Sequence, residues 1–310
     1  MSLRRIRRTP GGVRVIRQLF FSLFWAVSLT LTLLFVATRM LYVGLSVAPA
    51  ELADLRRNSS LVVRALLANF IVVPALGVVV TAVGRVPTEA ALAILLLAML
   101  GGGVDFLALG DKSNGERRHG SALIFLLSLV GGLMSPIVRL VIQPIGAPIM
   151  GSVWGLLAVT VLAVPLPLIG GLLVRRAAPE VTRVLSKAVA LVALILFVAA
   201  AASTFLVKAP LVVEIGIKAT GAMVVVIAGA GIAGWLLGGP SGQQRALLAR
   251  TTMMRNAGLA LLLAIVTFPD TSVDVAVLVF VVIEVSVRVV RLLITWTMVP
   301  SMPTLRSRKS

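Results

Sequence analysis

Nine apolar stretches of twenty residues or more follow one another along this 310-residue chain: residues 20–47, 61–83, 88–110, 120–141, 150–174, 188–207, 211–237, 246–268 and 273–299. A helix needs about 20 apolar residues to cross the ~30 Å hydrocarbon core of a bilayer. Apolar residues make up 59% of the chain and the mean hydropathy is +1.08, beyond what a soluble domain of this length uses. The pattern predicts an all-α polytopic membrane protein with about nine transmembrane helices. Residues 1–18 form a basic N-terminal tail, 19–300 the transmembrane domain, and 301–310 a basic C-terminal tail.

The net charge of +18 sits mainly between the apolar stretches. That is the distribution of cytoplasmic loops beside anionic lipid, so membrane lipid is the expected partner and nucleic acid is not. The loops after stretches one, three, five and seven, with the C-terminal tail, hold thirteen Lys and Arg, among them Arg56, Arg57, Lys112, Arg175, Arg176 and Arg245. The intervening loops hold little more than Arg85 and Lys208. The positive-inside rule therefore places the C-terminus in the cytoplasm. Nine spans then put the N-terminus outside, against the charge of Arg4, Arg5, Arg7, Arg8, Arg14 and Arg17. A partly interfacial first stretch with a cytoplasmic tail is the other arrangement.

There is no Cys, and the single His, His119, lies in a charged loop. Disulfides, thiolate catalysis and His- or Cys-based metal sites are excluded, and no nucleophile–base–metal set lies within the spans. The chain reads as no enzyme, with neither metal nor cofactor.

Two apolar stretches are interrupted. One carries Gly101-Gly102-Gly103-Val104-Asp105-Phe106; the other carries Thr251-Thr252-Met253-Met254-Arg255-Asn256-Ala257-Gly258. Arg at the centre of a spanning helix costs at least ~2.5 kcal/mol on insertion scales. Asn256 and Gly258 weaken a helix locally. One interruption per half of the chain points to the binding site of a secondary transporter. Other charges read as structural: Glu214 with Lys218 and Glu284 with Arg288 are spaced to pair on one helix face, Arg139 and Arg291 to snorkel. Met253 and Met254 read as packing residues.

Gly44-Leu45-Ser46, Leu67-Ala68-Asn69-Phe70 with Pro74, Gly101-Gly102, Ser135-Pro136 and Met254-Arg255-Asn256-Ala257-Gly258-Leu259-Ala260 together resemble the bile acid:sodium symporter family over about residues 40–300. The resemblance implies two inverted repeats, about 19–143 and 150–300, divided into a panel and a core. It also implies two discontinuous helices crossing in the core, here the third and eighth stretches, in a nine-helix form. Where the family has Ser-Asn for one sodium site, this chain has Asp105-Phe106. Where it has Glu-x-x-x-Gln for the other, this chain has Thr251 and Arg255. A fixed cation and a sodium ion a few ångströms apart repel strongly, so these residues argue against sodium.

The expected binding residues are Asp105, Phe106, Thr251, Arg255 and Asn256, with Gly101, Gly102, Gly103 and Gly258 breaking the helices. The expected function is secondary-active transport of a small organic anion by alternating access, without the usual sodium sites. The alternatives are a proton-coupled carrier or antiporter in which Asp105 titrates, and a non-transporting membrane sensor or binding protein of the same fold. The expected location is the bacterial inner (plasma) membrane, multi-pass.

Overall fold

A computed structural model describes residues 10–103, 114–143, 151–269 and 271–298, and every regular element among them is a helix. Within a bilayer each backbone N–H and C=O must be satisfied inside its own segment or by a neighbour, and helices do this. Helix α1 spans Pro10–Ser46, and the short α2 spans Pro49–Arg57. Next come α3 (Ser59–Leu67), a π-helical turn (Ala68–Val72) and α4 (Val73–Val83), then α5 (Thr88–Met99) and α6 (Asn114–Ile142). The second half holds α7 (Val153–Ala163), α8 (Pro165–Ala177), α9 (Pro179–Lys208) and α10 (Leu211–Leu237). It ends with α11 (Gly242–Met253), α12 (Ala257–Thr267) and α13 (Val273–Met298). Among the described residues, six helical stretches are long and apolar enough to cross a membrane: Ser22–Ser46, Ser59–Val83, His119–Ile142, Val153–Ala177, Pro179–Lys208 and Leu211–Leu237. Large apolar side chains such as Ile217, Val213 and Leu206 stand fully outward, as a lipid solvent allows.

Prolines set the local breaks. Pro74 has no N–H, and its ring opposes the carbonyl four residues back. The helix widens ahead of it, and the Val73 N–H donates to the Ala68 carbonyl in the π register. The next carbonyl in that register, Asn69, would need the N–H that Pro74 lacks, so it is left for another donor. Pro165 opens α8 directly after α7, and Pro179 opens α9. Asn58 caps α3 by accepting from the Leu61 N–H at 3.3 Å.

Two expectations change here. Residues 175–187 read as a charged loop, but α8 runs to Ala177 and α9 starts at Pro179, leaving only Ala178 between them. The helices continue beyond the apolar stretch and carry the charges on their end turns. Glu214 and Lys218 do not pair: both are exposed, and Gly216 between them has φ 70° and ψ 169°, which takes them off a common face. Glu284 and Arg288 do form an ion pair.

The helices pack in two groups. Helix α1 lies along α8 and α9. Gly44 and Gly171 let α1 and α8 approach so closely that a Cβ on either would strike the other's backbone, the small-residue contact of membrane helices. In the second group α10 packs on α4, α5, α11 and α13, and α12 packs on α5 and α13. The short helices α5 and α12 are at its centre. Ala90 to Ala98 and Leu259 to Ile265 are all buried, so neither helix has a lipid face. The groups meet where α1 crosses α12, with Phe35 against Gly258.

A candidate site where two interrupted helices meet

Helix α5 stops at Met99 because Leu100 turns extended, with φ −104° and ψ 91°. Gly102 has φ 85°, a conformation open to glycine, and a Cβ there would strike Ser128. The Ser128 hydroxyl donates to the Gly102 carbonyl at 2.9 Å and fixes the turn. Helix α11 stops at Met253 in the same way, with Met254 extended. Asn256 then caps α12, its Oδ1 accepting from the Leu259 N–H at 3.2 Å. The two breaks touch through their backbones. The Asn256 N–H donates to the Leu100 carbonyl at 3.0 Å, and a Cβ on Gly103 would strike the Arg255 carbonyl.

Arg255 lies between the breaks and is 3% exposed. A guanidinium has five N–H donors in a planar fork, and all five directions are used. Nε donates to the Leu97 carbonyl at 2.8 Å. Nη1 donates to Asn69 Oδ1 at 2.9 Å and to the Thr252 carbonyl at 3.0 Å. Nη2 donates to the Ala98 carbonyl at 2.5 Å and to the Asn69 carbonyl at 3.4 Å. Leu97 and Ala98 lie in the last turn of α5, Thr252 in the last turn of α11, and Asn69 is the residue whose π-register donor Pro74 removes. The C-terminal end of a helix carries about half a negative charge on such carbonyls. One cation thus answers two helix C-termini and a proline-freed carbonyl.

Asn69 is fully buried, and its Nδ2 donates to the Ala65 carbonyl at 2.9 Å and to Thr252 Oγ1 at 3.3 Å. The side chain is oriented, so its oxygen faces Arg255. On the other side, the buried Glu284 carboxylate accepts from Arg288 and faces the backbone of Arg255.

A cavity of about 40 Å³ opens beside the breaks, between α1, α9, α12 and α13. Phe35 and Phe197, with ring centroids 5.1 Å apart, wall it together with Arg39, Arg288 and Asn256. Arg39 is 6% exposed and its guanidinium lies 5.2 Å from the Tyr42 ring centroid. Asn256 Nδ2 is buried, with no hydrogen-bond partner among the described residues. The cavity is thus lined by Arg39, Arg255, the Glu284–Arg288 ion pair, a spare amide donor and the N-terminal end of α12, which carries partial positive charge.

The sites expected from sequence divide accordingly. Arg255, Asn256 and Gly101 to Gly103 come together at the breaks. Thr251 does not join them. Its hydroxyl bonds the Leu247 and Leu248 carbonyls of its own helix, and Thr252, one position on and so about 100° around the helix, faces Asn69 instead. Gly258 lies in the first turn of α12, not in the break. Its lack of a side chain admits the Phe35 ring. Asp105 and Phe106 lie outside the described residues. Asn69 reads in the sequence only as part of a family motif and Thr252 only as part of the interruption, neither as a binding residue, and Arg39 carries no signal of its own there. A lone Asn ahead of a proline was the available signal for the first.

The model of the Sodium Bile acid symporter family matches residues 31–215. The matched stretch contains Arg39, Asn69, Pro74 and the Gly101–Gly103 break, and stops short of the second break. No curated protein matches the chain. With a match over more than half its length and six helices able to cross a bilayer, the chain belongs to the sodium bile acid symporter family and is an integral, multi-pass membrane protein of the transporter type.

Proposed function

We propose that this protein is a secondary-active transporter of an organic anion, working by alternating access, in which Arg255 takes the part of a coupling sodium ion. The observation that carries the reading is the Arg255 guanidinium donating to the last carbonyls of both interrupted helices. Converging carbonyl oxygens are what a bound alkali cation requires. Here a covalently attached cation, charged at any pH, meets that requirement permanently.

In this reading α1, α7, α8 and α9 are the panel and the remaining spans the core, in two inverted repeats with nine spans in all. The cavity between the two groups receives the substrate. Its Arg39, the Asn256 Nδ2 and the N-terminal end of α12 favour an anion, while Glu284 already answers the charge of Arg288. Asp105 and Phe106 complete the core side, with Asp105 as counter-ion to Arg255. The C-terminus is cytoplasmic, in a bacterial inner membrane.

The test is uptake of labelled organic anions into proteoliposomes, from short aliphatic carboxylates to cholate, under a sodium gradient, a proton gradient or neither. Uptake of an anion that is indifferent to the sodium gradient is the expected result. Uptake driven by the proton gradient supports the Asp105-coupled carrier. Saturable binding with no flux under any gradient contradicts transport and favours the binding-protein reading.

A further inference from the structure

One side chain, that of Lys208, ties the two helix groups together at one end of the bundle. Lys208, the last residue of α9, reaches from the first group into the turn between α12 and α13 of the second. Its ammonium donates to both Asp274 carboxylate oxygens at 2.8 and 2.9 Å, to the Thr271 carbonyl at 2.7 Å and to the Pro269 carbonyl at 3.4 Å. Every acceptor belongs to the second group. The turn that carries them is itself fixed within that group: Glu89, in the first turn of α5, accepts from the N–H and hydroxyl of Ser272. The Asp274 side chain is 7% exposed and that of Lys208 20%, so the pair is largely withdrawn from water. A withdrawn, bidentate pair holds more strongly than an exposed one, because parting it strands a charge.

A second tie of the same sense lies nearby. The Trp25 indole N–H on α1 donates to the Ile265 carbonyl near the end of α12 at 3.3 Å. Beside these ties is a cavity of about 430 Å³, lined by Trp25, Ser28, Ser203, Thr204 and Ile265 together with Lys208 and Asp274 themselves. Trp25 is ten residues before Phe35 on α1, which sets this cavity about 15 Å along the helix axis from the site at the breaks. Ser28 and Ser203 join α1 to α9 with 3.0 Å between hydroxyls, so that wall belongs wholly to the first group. The cavity therefore lies along the seam between the groups, and Lys208 bridges its rim.

We propose that Lys208 and Asp274 form a latch that holds the seam between the two helix groups shut at this end, the end away from the Arg-rich loops, and that opening the cavity requires the pair to part. The proposal rests on the reading above that the groups move relative to one another. Losing either charge frees the rim and raises the population of the open seam. The latch keeps that open population small, so its loss produces a large change in access.

The chain has no cysteine, so one introduced thiol is a clean reporter. Thr204 lines the cavity and is 3% exposed. Thr204→Cys in proteoliposomes is labelled with a charged, membrane-impermeant methanethiosulfonate, with no substrate present. Slow labelling is expected in this background, and labelling about tenfold faster with Lys208→Gln or with Asp274→Asn. The exchanged pair Lys208→Asp with Asp274→Lys is expected to return the rate toward the slow value, which a folding defect would not do. Equal rates in the background and both single variants, with monodisperse protein on size exclusion, overturn the latch. So does fast labelling in the exchanged pair as well as the singles. Latch-dependent labelling in a protein that moves no anion leaves the closure standing and removes the transport reading instead.

Discussion

Arg255→Gln is expected to lower the thermal midpoint of the purified protein sharply and to abolish anion uptake. Glutamine is too short to span the fork, carries one amide and no charge, and leaves carbonyls of Leu97, Ala98 and Thr252 without the donor they have now. A buried acceptor left unsatisfied costs about 1–3 kcal/mol, and the Ala98 and Thr252 carbonyls both lose their side-chain donor, while the Leu97 carbonyl keeps the Leu100 N–H. Arg255→Lys keeps the charge but not the planar fork, so an intermediate loss is expected. The vacated carbonyls should then accept a mobile cation. In Arg255→Gln the midpoint should rise when sodium replaces choline, whereas the wild type should not respond. Arg255→Gln combined with Asp105→Ser should recover part of the single-variant loss. A midpoint within a degree of wild type for Arg255→Gln would show that the guanidinium is incidental to the crossing.

Glu284→Ala is expected to have the next largest effect. Its carboxylate compensates Arg288 one turn further along α13 and faces the Arg255 backbone beside the cavity. Truncation strips a buried carboxylate from two guanidinium-bearing residues at once, a loss of about 3–5 kcal/mol when one member of a buried pair is removed. Arg288→Ala leaves the complementary charge and should cost a similar amount. The double variant should cost clearly less than the two singles summed, with a coupling of about 1–3 kcal/mol. Denaturation midpoints for the four proteins measure it. Additive losses would mean that the pair is no more than a surface-like contact on α13.

The helical, membrane-spanning character of the chain and the two places where helices break were readable because a bilayer penalises polar residues in fixed ways. Glycines at 101–103 and an Arg-Asn pair at 255–256 have no packing use in an apolar run, and both mark helix ends in the structure. What answers Arg255 was not readable. Three of its five acceptor contacts are carbonyls at helix ends, which no side chain announces, and a fourth is a carbonyl freed by a proline five residues later. Thr251 came from its place in the family's Glu-x-x-x-Gln spacing, but adjacent residues on a helix point about 100° apart, and only the fold sets that Thr252 is the one facing Asn69. The charged segment 175–187 looked like a loop because composition reports the lipid boundary, not the helix boundary. The pairing of Glu214 with Lys218 assumed an unbroken helix, and Gly216 breaks it.

The central claim is that Arg255 occupies the place of a coupling cation. Its most direct test is anion uptake by the wild-type protein as external sodium is titrated from zero against choline at constant ionic strength. A flat response is expected, with uptake in sodium-free buffer equal to that in full sodium. A steep, saturable rise with sodium would contradict the claim.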